Sequence, residues 1–201
     1  MVDPLTLLAF VPAALALNLT PGADMMFCLG QGMRFGPKAS VAASAGISLG
    51  GMVHVTLAGL GLGAVIAAVP WAFDVIRWVG VAYLLWLAVQ TLRGGAARQD
   101  LALRPSAFRG ALIVSLTNPK VILFVLAFVP QFVVPDAGPV LAQFLIFGAV
   151  LSAGGFVINA TVGIFASGLG RKLAKGGRAL RWISSGIFVA LAARLAVLER
   201  T

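Results

Sequence analysis

The chain has 201 residues, 60% of them hydrophobic and only 10% charged, with a mean hydropathy of +1.02. A soluble domain carries about a quarter charged residues, so this composition excludes a soluble globular fold and implies an integral, all-α membrane protein. The net charge of +9 raises nucleic acid as a partner, and the placement of the charges argues against it.

Six apolar runs are predicted to span the bilayer, each near or above the ~20 residues that cross a ~30 Å hydrocarbon core. The first, Leu5–Gly32, holds Asn18-Leu19-Thr20-Pro21-Gly22-Ala23-Asp24 in the middle of oily sequence. Its Ala14-Leu15-Ala16 looks like a leader cleavage site, but Asp3 precedes it and no Lys or Arg does, so a retained helix is expected. Cys28, the sole cysteine, leaves no internal disulfide. The second run, Ala39–Val69, carries Ala42, Gly46 and Gly50 at four-residue spacing, then the sole histidine, His54, then Gly59 and Gly63. Small residues at that spacing let helix backbones approach closely. Trp71–Leu92 is the third run, and the polar stretch Arg93 to Arg109 follows it. Ala111–Phe132 is the fourth and contains Thr117-Asn118-Pro119-Lys120. Val140–Gly168 and Leu180–Leu198 complete the set.

The first, third and fifth loops together hold eleven of the fifteen basic residues: Arg34 and Lys38; Arg93, Arg98, Arg104 and Arg109; Arg171, Lys172, Lys175, Arg178 and Arg181. Basic residues collect on the cytoplasmic side, so both termini are expected outside and the positive charge is a topology signal. The polar middle leaves three runs on each side, and halves of three spans insert with opposite orientation. Pro21 and Pro119 stand 98 positions apart, and Pro37 and Pro135 repeat that offset. Arg77-Trp78 with Leu87-Ala88 matches Arg181-Trp182 with Leu191-Ala192 at an offset of 104. The expected fold is one transmembrane transporter domain of six helices, built as two inverted three-helix repeats (1–95 and 105–201), with proline-broken helices 1 and 4. Such repeats with interrupted helices are a transporter plan that places the substrate near the midplane.

Proline removes a backbone donor, so Pro21 is expected to free the carbonyl of Leu17 and Pro119 that of Ser115. Gly22 clears space beside the first break. At ~1.5 Å per helical residue, Asp24 lies about 15 Å from Arg34, and Lys120 about 15 Å from Gly110, at the same surface. Each charge costs at least ~2.5–3.5 kcal/mol at the centre of a lone helix, so the two are expected to face one cavity. Freed carbonyls and half-helix N-termini at one depth suit a zwitterion. Two structural readings stand beside this one: Asp24 as a cap for the half-helix after Pro21, and Lys120 snorkelling to the surface. His54, about 24 Å along its helix from Lys38, is a proton relay or a packed, hydrogen-bonded residue. Asn18, Thr20 and Asn118 are expected to satisfy the broken backbone or line the cavity, whereas Gln131 and Asn159 are placed nearer the surfaces. The four tryptophans read as interface anchors or packing. No metal cluster, phosphate-binding glycine loop or nucleophile triad stands out, and no cofactor is expected.

Leu19-Thr20-Pro21-Gly22-Ala23-Asp24, Gly46 through His54, Leu116-Thr117-Asn118-Pro119-Lys120 and Phe128-Val129-Pro130-Gln131-Phe132 together resemble the LysE/RhtB superfamily of bacterial amino-acid exporters, over the whole chain. Ala23 departs from the pattern, since many relatives carry a second proline there. The resemblance implies a multi-pass inner-membrane exporter of amino acids or close derivatives, driven by proton antiport, in which Asp24, Pro21, Asn118, Pro119 and Lys120 matter. A single membrane Asp and Lys favour a zwitterion with an uncharged side chain. The competing readings are an intramembrane enzyme using Asp24, His54 or Lys120, and a passive small-solute channel. The oligomeric state is open, and a homo-oligomer is allowed.

Overall fold

The computed structural model describes residues 2–68, 72–93 and 106–165, with single positions between 182 and 196. The Leu180–Leu198 run, most of the polar stretch before Arg109 and the basic loop from Arg171 to Arg181 therefore lie largely outside the described residues, as do Trp71 and the side chain of Arg77.

Helix α1 (Pro4–Leu19) starts where Asp3 accepts the backbone N–H groups of Leu5 and Thr6 at 3.0 and 3.1 Å, with Pro4 at the first helical position. Proline is favoured there because that N–H has no helical partner in any case. The helix runs through Pro12 and stops at Thr20, ahead of Pro21. Helix α2 (Ala23–Phe35) ends at Gly36, whose φ of +88° is open to glycine at little cost, and Pro37 immediately begins α3 (Pro37–Ala68). Helix α4 (Ala72–Arg93) follows. Helix α5 (Ala107–Leu116) ends at Thr117, and Asn118 caps α6 (Pro119–Phe128) with its side chain while Pro119 takes the first position. Two single 3-10 turns, Val129–Phe132 and Pro135–Ala137, lead to α7 (Val140–Ile164). Gln143 fixes that loop: its amide accepts from the Val134 N–H at 2.9 Å and donates to the carbonyls of Val134 and Gly138.

The described residues form no strand. Two stretches are each long and apolar enough to cross a membrane, Pro37–Gly61 within α3 and Val140–Ile164. The pair α1 and α2 passes the same test as one span bent by 55°, and α5 with α6 and the following turn as one bent by 53°. Large apolar side chains cover the outside: Leu5, Leu8, Leu57 and Val157 are each at least 60% exposed, which suits lipid rather than water.

Helices α3 and α7 pack antiparallel along a close seam. Each glycine in it leaves room that a side chain would fill. A Cβ on Gly163 would strike Ser40, one on Gly51 would press on Ser152, one on Gly148 would strike Val55, and one on Gly59 would strike Phe144. Moving up α3 thus moves down α7. Gly46 and Gly50 face the other way, onto Phe108, Ala111 and Ser115 of α5. The small-residue face expected on this helix therefore serves two neighbours.

Two apolar clusters bracket the middle of the molecule. On one side Phe10, Phe124, Phe128, Phe132, Phe144 and Phe147 are buried together, and the rings of Phe10, Phe124, Phe128, Phe132 and Phe147 form a connected set with neighbouring centroids 4.8–5.9 Å apart. On the other, Phe27 and Cys28 pack with the smaller Ala43, Ile47, Ala107 and Ala111.

Candidate functional site

Between the two clusters, the breaks at Pro21 and Pro119 meet around a cavity of about 30 Å³. Its walls are Leu17, Asn18, Thr20, Gly22, Asp24 and Met25 from the first break, Asn118, Lys120 and Val121 from the second, and Asn159 from α7. A cavity of this size holds about two water molecules.

The local chemistry follows from the prolines. In an unbroken helix residue 21 would donate to the carbonyl of Leu17; proline has no N–H, so that oxygen is left over. Lys120 takes it: its Nζ donates to the Leu17 carbonyl at 2.8 Å and to the Thr20 carbonyl at 2.7 Å. The ammonium therefore points into the break of the other half and does not snorkel to a surface. Bonds from an ionised donor are about twice as strong as neutral ones, and two of them offset much of the cost of burying the charge. At the second break Pro119 leaves over the carbonyl of Ser115, and His54 Nε2 lies 3.1 Å from it. A carbonyl only accepts, so Nε2 carries the hydrogen in this contact. The same oxygen also receives the N–H of Asn118 at 3.1 Å. Both carbonyls expected to be released are thus engaged, each by an ionisable side chain from the opposite half of the chain.

Asn118 ties the acid to the base. Its Nδ2 donates to Asp24 Oδ1 at 2.9 Å, and its Oδ1 accepts the backbone N–H of Lys120 at 3.0 Å. Bonds at both ends fix which way the amide points. Asp24 sits in the first turn of α2 rather than at its cap: the N-cap is Gly22, with no side-chain cap bond. A carboxylate in that first turn is favoured by the helix dipole. Gly22 is extended, and a Cβ built on it would stand 3.5 Å from the Cδ and Nζ of Lys120. The lysine stem therefore passes directly over this glycine.

The remaining residues expected to form a site fall at different places. Thr20 lines the cavity, but its hydroxyl donates back to the Ala16 carbonyl, so its own carbonyl is what it offers. Asn18 donates to the Leu151 carbonyl at 3.0 Å and lies against Gly154 and Gly155 of α7. His54, Pro21 and Pro119 are not in the cavity wall; they shape it from behind. Gln131 donates to the Ala127 carbonyl, away from the cavity. Asn159 is the correction. Expected nearer a surface, it is buried in the cavity wall, and its Oδ1 has no donor among the described residues. The signal was a polar amide inside a strongly apolar span, since such residues in membrane helices face the interior. No group of three or more His, Cys, Asp or Glu that could hold a metal occurs among the described residues.

Comparison with known proteins bears on this arrangement. Residues 15–199 match the family model described as LysE type translocator. The chain is 37% identical over 145 residues to the homoserine/homoserine lactone efflux protein of Salmonella typhimurium, covering 70% of each chain. It is 33% identical over 207 residues to the leucine efflux protein of Klebsiella pneumoniae, covering 97% of this chain and 96% of that one. The leucine efflux protein of an Enterobacter species is 32% identical over 200 residues, 94% of each. No solved structure matches.

Proposed function

Since the chain belongs to the LysE type translocator family, and is therefore a transporter and not an enzyme, we propose that it exports amino acids or close derivatives across the bacterial inner membrane. The observation that carries this reading is the joined pair of breaks: an acid on one, a base on the other, and freed carbonyls between them, all around one cavity. A zwitterion needs acceptors for its ammonium and a cation for its carboxylate. Asp24, the Leu17 and Thr20 carbonyls and Lys120 are those groups, with Asn118, Asn18 and Gly22 shaping the space. One acid and one base leave no surplus charge for a charged side chain, so the favoured substrate has an uncharged one. The relatives named for leucine and homoserine export fit that preference.

The whole carrier is read as six spans in two inverted three-helix repeats with both termini outside, Pro21 and Pro119 occupying matching places. The antiparallel packing of α3 on α7 is compatible with the inversion, and under the offset of 104 Gly59 matches Gly163 and Ser48 matches Ser152, whose carbonyl Ser48 Oγ reaches at 3.0 Å. The coupling ion is read as a proton moving inward. A simple channel fits poorly with a cavity of about 30 Å³ walled by an acid, a base and three asparagines.

The test is efflux from vesicles loaded with leucine, homoserine or lysine. Leucine or homoserine should leave against its own gradient when an inward proton gradient is applied. Lysine transport alone would overturn the substrate class, and flux that merely follows the solute gradient would overturn the exchange mechanism.

A further inference from the structure

The part of the site that best suits a substrate ammonium is already engaged by an ammonium. Lys120 Nζ donates to the Leu17 and Thr20 carbonyls at 2.8 and 2.7 Å, and beside it the cavity has about 30 Å³, far too little for an amino acid. The two oxygens sit on a constrained backbone, because Pro21 directly follows Thr20 and restricts its conformation, and Thr20 is held to Ala16 through both its N–H and its hydroxyl. The lysine is the movable member. Its stem crosses Gly22, where only a hydrogen faces it. Across the cavity, Asn159 Oδ1 is a buried acceptor with no donor among the described residues, and a buried acceptor without a donor is costly. An ammonium has three donors, and the site offers two carbonyls and this amide oxygen.

We propose that the Leu17 and Thr20 carbonyls, with Asn159 Oδ1, are the seat for the substrate's α-ammonium, and that Lys120 holds this seat in competition with it. The inference rests on the amino-acid export reading and adds a mechanism to it. Entry of substrate displaces the lysine from the first break and frees its charge to meet the substrate carboxylate; departure of substrate lets the lysine return. The same side chain is counter-ion in one state and stand-in for the substrate in the other. Compounds with a free primary ammonium then compete with Lys120, and analogues with a blocked or missing amine do not.

The probe is methylammonium, the smallest ion that presents the same donors, with tetramethylammonium as a cation of equal charge and no N–H. Purified wild-type protein and Lys120→Ala are melted in both salts. Lys120→Ala should gain about 4 °C at methylammonium tenfold above its dissociation constant, nothing specific in tetramethylammonium, and the wild type should gain little. Adding Asn159→Ala to Lys120→Ala should remove much of the gain. Equal responses of wild type and Lys120→Ala, or none in Lys120→Ala, would overturn the competition. Lys120→Met keeps the bulk of the stem without the amine and serves for the same comparison if the alanine variant does not survive purification. Amino-acid efflux by the wild type is measured separately. Efflux without the differential methylammonium response sinks the competition and leaves the exporter reading standing; the differential response without efflux does the reverse.

Discussion

The break after Thr20 bends its helix pair by 55° and the break after Thr117 bends its pair by 53°, yet the two are filled differently. At the first, the released carbonyl and its neighbour are bonded by a flexible, charged lysine that reaches in from the other half. At the second, the released carbonyl is shared between a backbone N–H and the ring of His54, which sits on α3 behind the cavity. The mechanical solution is duplicated and the chemistry is not. One break presents its oxygens to the cavity; the other has them tied down from outside it. This is a division of labour: the first break as the place where ligand charge is met, the second as a rigid frame that aims Asn118 and Lys120.

Three substitutions would break or sharpen that contrast. The largest effect is expected from Asp24→Asn, which keeps an acceptor for Asn118 but removes the only carboxylate in the cavity wall among the described residues. Loss of a buried charge partner is worth several kcal/mol, so uphill leucine efflux should fall by about 100-fold or more, with a much smaller change in melting temperature. Full activity in this variant would end the case for the first break as the charged one. Asn118→Asp comes next. It retains the oxygen that caps α6 but sets a second carboxylate against Asp24 in place of the amide donor, and efflux should drop by about tenfold while α6 keeps its cap. An unchanged rate would mean that the link between the breaks is not used. The smallest effect belongs to His54→Phe. The Ser115 carbonyl keeps its bond from Asn118, so the loss should be about 1 kcal/mol of stability, seen as a lower melting temperature, with efflux reduced no more than a few-fold. If His54→Phe instead abolished proton-driven efflux without lowering the melting temperature, the second break would be part of the chemistry and the contrast would fail.

How much of this could be read from the chain depends on dimension. Proline acts locally, so the two breaks and the identity of the two released carbonyls, Leu17 and Ser115, followed from sequence alone. Helical rise gives depth, so Asp24 and Lys120 were expected at one level, and both line the cavity. Which side of a helix a residue shows its neighbour is not contained in depth. Hence the pairing of Lys120 with backbone oxygens, the bridging role of Asn118 and the link from His54 to Ser115 came only with the structure. Asn159 was misplaced although depth was available: nine residues from Gly168 put it about 14 Å in, level with Asp24. The bent pair α1 and α2 runs beside α7 and puts its break alongside that turn, with Asn18 against Gly154 and Gly155 and Gly32 against Gly163. The glycines on α3 were legible as a packing surface, but not the fact that Gly46 and Gly50 serve α5 while Gly51 and Gly59 serve α7.

The six buried phenylalanines on one side of the cavity act on time as well as on space. Pulling even two of these rings from their neighbours and wetting them costs about 3–6 kcal/mol, which would hold a form opened on that side to about one molecule in a hundred or fewer. The aromatic cluster then behaves as a latch whose strength is counted in rings. Trimming Phe10 or Phe147 would change how often the carrier opens, and so its turnover and its leak, without disturbing a single polar contact at the breaks.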